Sequence, residues 1–159
     1  MFGFGRVDKT PARAPEAVFV SETGLVRADN QDNVLVAVAR GVFCVADGMG
    51  GGAEGAKASA TVCHELKLMA HAAGETLAAR VDAVRSSLED ANAAIYEYAN
   101  SSGIGKMGST AAVLALDPEN RSRAAVVHVG DSRVYRIRGG LVYEVFVNAE
   151  RAQASDLEW

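Results

Sequence analysis

Apolar and polar positions change period twice along the chain. Near-continuous apolar runs come first, VLVAVA (34–39) and VFCVA (42–46), joined at Arg40-Gly41. Runs this short and this apolar predict a β-hairpin buried on both faces. Upstream, VFVSETG (18–24) is short and β-prone. Ala58, Val62, Leu66 and Met69 then recur at helical spacing, and Gly74 is placed to stop that helix. Leu77, Val81, Val84, Leu88, Ala91, Ile95 and Tyr98 step by four and three. A coiled coil shows the same stripe, but one helix of an amphipathic pair is the simpler reading. After the glycine-rich SSGIGKMGS (101–109) the pattern returns to strands: TAAVLAL (110–116), RAAVVHVG (123–130), RVYRIR (133–138) and LVYEVFV (141–147). DPEN (117–120) and Gly139-Gly140 are the turn signals between them. Connections this short join antiparallel neighbours. The order predicts an α+β fold with helices packed on an antiparallel sheet. Residues 1–16, with Pro11, Pro15 and scattered charge, read as a loose arm, 17–147 as the domain, and 148–159 as a polar surface tail.

Composition narrows the function classes. At 159 residues the chain is long enough for one domain with a real core. A net charge of −4 argues against a nucleic-acid partner, which would call for a basic face. No apolar run approaches a membrane span, and MFGFGRVDKT has no long apolar segment of a secretory signal, so neither membrane nor export is expected. Cys44 lies in an apolar strand and Cys63 in a helical pattern. Two buried, reduced thiols in a cytoplasmic protein are the expectation.

The chemistry centres on VADGMGGGAEG (45–55), where an apolar run ends on an acid and breaks into glycines. Gly50, Gly52 and Gly55 spell the G-x-G-x-x-G of dinucleotide-binding loops. That loop needs a parallel strand after the helix, and here a second helix follows. Asp47 would also point its charge at the pyrophosphate. A hard cation suits the acids better. Asp32 in RADNQDN precedes a strand, Asp47 ends one, and Asp131 in VGDSR sits in a tight turn. Mg²⁺ and Mn²⁺ take oxygen ligands of this kind, and glycine after Asp47 lets the Gly48 carbonyl turn toward the ion. His64, His71 and His128 are scattered, which disfavours zinc. An Asp at a strand end also serves as a turn former or helix N-cap, so the pattern alone leaves both roles open.

Four segments in order carry a resemblance: GLVRADNQD (24–32), VADGMGG (45–51) with Gly55 and Ala58-Ser59, MGST (107–110) and VGDSRVY (129–135). Over residues 18–143 the chain resembles the metal-dependent protein phosphatases, the PPM or type 2C family, in its bacterial form. The resemblance implies an antiparallel β-sandwich flanked by helix pairs. It implies two Mn²⁺ or Mg²⁺ ions, with a third, weaker site in some members. It implies Arg27 as the arginine that anchors a substrate phosphate, by bidentate guanidinium geometry. Asp47 is implied as the acid bridging two metals, the Gly48 carbonyl as a further ligand, Asp32 as a ligand through water, and Asp131 as a ligand of the third ion. The implied reaction is hydrolysis of phosphoserine or phosphothreonine in proteins by a metal-activated water. Gly108, Ser109 and Thr110 are expected to let the backbone pack closely, with Ser132 and Arg133 bracing the Asp131 turn. Met49 stands where some eukaryotic members have a histidine, so the leaving group is expected to take its proton elsewhere.

The pattern of the family stops short in this chain. Its later strands, flap, second helix pair and two further aspartates have no counterpart, and VNAERAQASDLEW (147–159) matches nothing in it. The expectation is an incomplete sandwich with an uncovered sheet edge that favours self-association. Three readings follow: a phosphatase whose short form is weak or inactive, a catalytically dead module that binds phosphoproteins through Arg27, and the glycine-loop nucleotide binder.

Overall fold

In the computed structural model, residues 15–72 and 76–145 are described, together with the backbone of 153–158. β1 (Asp32–Ala37) passes through a 3-10 turn at Val38–Arg40 and Gly41 into β2 (Val42–Met49). Gly41 takes φ +68°, a left-handed conformation that glycine adopts at no steric cost. Two helices follow, α1 (Ala53–Ala72) and α2 (Leu77–Ser101). Then come β3 (Gly108–Ser109), β4 (Ala111–Leu116), β5 (Arg123–Val129), β6 (Val134–Arg138), β7 (Leu141–Val145) and β8 (Gln153–Glu158). The main sheet runs β1-β2-β4-β5-β8, β3 pairs with the end of β2, and β6-β7 form a separate hairpin. Every pairing among the described residues is antiparallel, so the βαβ unit of a dinucleotide loop is not formed there.

Both helices cover one face of the sheet, and the stripe positions explain why. Ala58, Val62, Leu66 and Met69 of α1 are buried, as are Leu77, Val81, Val84, Leu88, Ala91 and Ile95 of α2. They meet Val42, Cys44, Ala46, Val113, Ala115, Ala125 and Val127 of the sheet. Tyr98 ends the stripe half-buried, with the Lys57 ammonium 3.3 Å from its ring centroid. Thr76 caps α2 by accepting from the Ala79 N–H at 3.2 Å. Gly74, the expected helix stop, lies outside the described residues.

The predicted helices and six of the predicted strands are present, and three expectations change. The hairpin is buried on one face only. β2 alternates buried and more exposed positions, and Val45 is 50% exposed. Helices pack on one side, so Phe43 and Val45 point to the other. Residues 18–24 form no strand, and Val18, Phe19 and Val20 stand exposed. With Val34, Phe43, Val45, Leu114 and Tyr135, Val18 and Phe19 border an apolar groove of about 520 Å³. The polar tail is the third change. Gln153–Glu158 pair with the length of β5, from Arg123↔Glu158 to His128↔Gln153. β5 is buried from Ala124 to His128, and buried backbone N–H and C=O groups require partners. Backbone pairing is indifferent to the side-chain polarity on which the tail reading rested. The same strand covers the edge of β5.

Candidate metal and phosphate site

The register of the β1–β2 hairpin makes Asp32 and Asp47 direct cross-strand partners. Such partners share one face with Cβ atoms about 4.5–5.5 Å apart, and like charges there repel. Asp32 shows the strain. Its carboxyl is held above the usual carboxylate range by burial first, then by the Asp47 charge and a hydrogen bond with that carboxyl, while Arg27 pulls the other way. The two acids line a cavity of about 190 Å³ with Arg27, Glu22, Thr23, Asp29, Asn30 and Gln31. An oxygen-rich hollow with one guanidinium results.

Local bonds hold each acid in place. Ahead of β1, Asn30 Oδ1 accepts from the Asp32 N–H at 2.9 Å and Asn30 Nδ2 donates to Ser21 Oγ at 2.8 Å. This Asx turn sets the entry of the chain into the strand. Asp47 is held from β3 and β4. Its N–H donates to Thr110 Oγ1 at 3.0 Å, and its carbonyl accepts from the Thr110 N–H at 2.9 Å and from Ser109 Oγ at 3.2 Å. Thr110 Oγ1 and Ser132 Oγ are 2.6 Å apart and share a proton. The MGST and GDSR segments thus converge on the backbone of Asp47. Gly130 completes the joint at φ +93°, where a Cβ would strike Thr110 Cγ2.

The glycines at 48 and 55 bring β2 against the start of α1. A Cβ on Gly48 would overlap the Gly55 carbonyl, and one on Gly55 would overlap the Gln31 side chain. Gln31, only 7% exposed, fills the gap. With its amide oriented to match these neighbours, the Gln31 nitrogen donates to the Gly48 carbonyl at 2.9 Å and its oxygen accepts from the Gly52 N–H at 3.1 Å. Ser59 Oγ, fully buried, donates to the Gln31 carbonyl at 2.6 Å, and Asn33 Nδ2 donates to Ser59 Oγ at 3.1 Å. Gly50, Gly51 and Gly52 have positive φ and turn the chain from strand to helix, the local reason for the glycine run.

The structure therefore brings together Arg27, Asp32 and Asp47. The Gly48 carbonyl faces Gln31 and does not line the cavity, though a carbonyl oxygen has a second lone pair. Asp131 is exposed and does not line it, but its neighbour Ser132 is bonded to the residue that holds Asp47. Among the described residues no three His, Cys, Asp or Glu side chains form a group able to hold a metal ion. The donor set is oxygen only, as Mg²⁺ and Mn²⁺ require, with the remaining positions left to water. Gln31 and Asp29 escaped the sequence reading. Asp29 was legible as a second acid in RADNQD, whereas a buried glutamine in a polar loop leaves no periodic signal.

The family model described as Protein phosphatase 2C matches residues 24–157. The chain belongs to the protein phosphatase 2C family. Serine/threonine protein phosphatase PstP of Mycobacterium tuberculosis is 36% identical over 129 residues, which cover 79% of this chain and 23% of that protein. The chain thus spans less than a quarter of that relative's length. Among solved structures, PppA of Pseudomonas aeruginosa, titled a key regulatory component of T6SS, aligns with a TM-score of 0.78 at 30% identity, over 87% of this chain and 70% of that one. The catalytic domain of PstP in complex with two manganese ions aligns with a TM-score of 0.65 at 33% identity, over 80% of this chain and 53% of that one. Both structures share the fold described above. No helix among the described residues is long and apolar enough to cross a membrane.

Proposed function

We propose that this chain hydrolyses phosphoserine and phosphothreonine in proteins as a metal-dependent phosphatase of the 2C family. The observation that carries the reading is the cross-strand register of Asp32 and Asp47 on a cavity shared with Arg27. Asp47 and Asp32 would hold Mn²⁺ or Mg²⁺, two ions as in the manganese-bound relative, with the Gly48 carbonyl and Asp131 as further oxygen donors and Asp131 serving a third, weaker ion. When bound, the metal makes hydroxide available near neutral pH and neutralises phosphoryl oxygens. The chain's own residues do the rest. Arg27 presents two N–H groups to two phosphate oxygens and fixes the phosphorus relative to the acids. Asp47 is positioned in advance by its three backbone bonds to Ser109 and Thr110. Met49, next to this segment, has no proton to give, so the leaving alkoxide takes its proton from water.

Phosphorylated proteins are the substrates on this reading, and removal of a kinase's mark makes the role one in signalling. The free Cys44 and Cys63 suit the reducing cytoplasm. Copies would associate through an uncovered sheet edge, and β1 is a terminal strand of the main sheet. A second reading, a phosphoprotein-binding module without turnover, is favoured by the lack of a three-ligand group among the described residues.

Hydrolysis of a phosphothreonine peptide with and without Mn²⁺ separates the two. The phosphatase reading expects Mn²⁺-dependent phosphate release that Asp47→Asn abolishes. Peptide binding that depends on Arg27, with no release at any Mn²⁺ concentration, would establish the binding module instead.

A further inference from the structure

Between the second half of α2 and the sheet lies a cavity of about 340 Å³, within the size range of small-molecule sites. It shares no lining residue with the cavity of Arg27, Asp32 and Asp47. Residue size explains the opening. Ala99, Gly108, Ser109 and Ala111 are too small to fill the space between the helix and β3–β4, so the layer that Val81 and Val84 close upstream stays open there. Val62, Leu88 and Ile95 are buried and form an apolar floor. Asn92, Tyr96 and Asn100 step by four along α2, so they stand in one line on the exposed rim. Met49 and Met107 border the cavity from the end of β2 and from the glycine-rich loop. Among the described residues that line it, Lys106 is the one charged side chain, and it is exposed.

We propose that this cavity is a binding site for a small aromatic carboxylate. The inference does not depend on the phosphatase reading. Each part of such a ligand has a counterpart in the lining. An aromatic body leaves water for the apolar surface of Val62, Leu88 and Ile95. Methionine sulfur is polarisable and makes favourable contacts with ring edges, and the flexible side chains of Met49 and Met107 adapt to a ring. Tyr96, 68% exposed, offers a ring face at the mouth. A rigid ring also loses less rotamer freedom on binding than a flexible chain of the same area. The carboxylate is placed by the Lys106 ammonium and by the side-chain amides of Asn92 and Asn100, all of which have N–H groups to donate. A cationic ligand would meet the like charge of Lys106 with no acid in the lining to hold it. Ser109 lines the cavity and its Oγ donates to the Asp47 carbonyl at 3.2 Å, so an occupant sits one hydrogen bond from the backbone of Asp47.

The probe is 2-naphthoate, titrated into the full chain while backbone amide signals are followed by NMR, with 2-naphthalenemethanol as its uncharged counterpart. Saturable shifts are expected in residues 92–100 and 105–109, and 2-naphthoate should bind more tightly than the alcohol. Lys106→Gln, a change at an exposed position, should weaken 2-naphthoate about threefold to fivefold and leave the alcohol as it was. Ala99→Leu should fill the cavity and abolish the shifts from both, and if that variant does not fold, the Lys106→Gln comparison still decides. No saturable shift up to the solubility of 2-naphthoate, shifts centred on another surface such as the groove of Phe19 and Val45, or a Lys106→Gln chain that binds acid and alcohol as the unsubstituted chain does would each overturn the proposal.

Discussion

Gly55 and Gln31 meet with no room for a further carbon, and the identity of the residues there decides whether β2 can sit on α1. Gly55→Ala should cost about 2–3 kcal/mol by overpacking, read as a lower urea midpoint with unchanged slope. Gly105→Ala, whose new Cβ meets nothing within 4 Å, should leave the midpoint where it is. The charged pair gives a prediction of opposite sign. Asp32 holds its proton more tightly folded than unfolded. Its contribution to stability is therefore present below the ordinary carboxylate range and is lost as pH rises through the raised folded value. Asp32→Asn should flatten that part of the stability–pH curve of the metal-free chain and leave it slightly more stable near neutral pH, which chemical denaturation at several pH values checks. The acids were legible in the sequence because charge at the end of an apolar run is conspicuous. Gln31 was not, because its value lies in fitting between two glycines that only the folded chain brings together.

At the scale of elements, the helix pair is anchored to the sheet by α2. Arg80, 8% exposed, donates through Nη1 to the carbonyls of Arg40 at 2.7 Å and Leu116 at 2.8 Å, tying α2 to the turn between β1 and β2 and to the end of β4. Arg80→Met keeps the bulk but leaves both carbonyls short of a donor, and a loss of about 2–3 kcal/mol is expected in the same denaturation measurement. A chain ended before Gln153 should be less stable and should aggregate, because β5 then presents an unpaired edge; light scattering on warming reads this directly. Both helices were legible to within a few residues because their buried stripe repeats at helical spacing. β8 was not. Its place is fixed by backbone groups of β5 that need partners, and that need is written in β5 rather than in QASDLE. The half-exposed face of β2 was misread for a related reason: an apolar run records what side chains tolerate, not how many layers cover them.

Across the whole molecule, one end of the sheet gathers oxygen donors and a guanidinium from segments distant in sequence. Asp32 and Arg27 come with the approach to β1, Asp47 with the end of β2, and Ser109, Thr110 and Ser132 brace Asp47 from β3, β4 and the turn before β6. The resemblance of four ordered segments made this convergence expected, and antiparallel pairing accounts for most of it. The distance of Asp131 and of the Gly48 carbonyl from the cavity could not be read beforehand, since it depends on the turn geometry after β2 and β5. Metal binding decides what this site does, and paramagnetic broadening of backbone amide signals by Mn²⁺ reports it residue by residue. Titration of the folded chain should broaden the amides around Asp32, Asp47 and Gly48 first, and Asp47→Asn should abolish that selectivity. Broadening that begins elsewhere, or that is the same in Asp47→Asn, would contradict it.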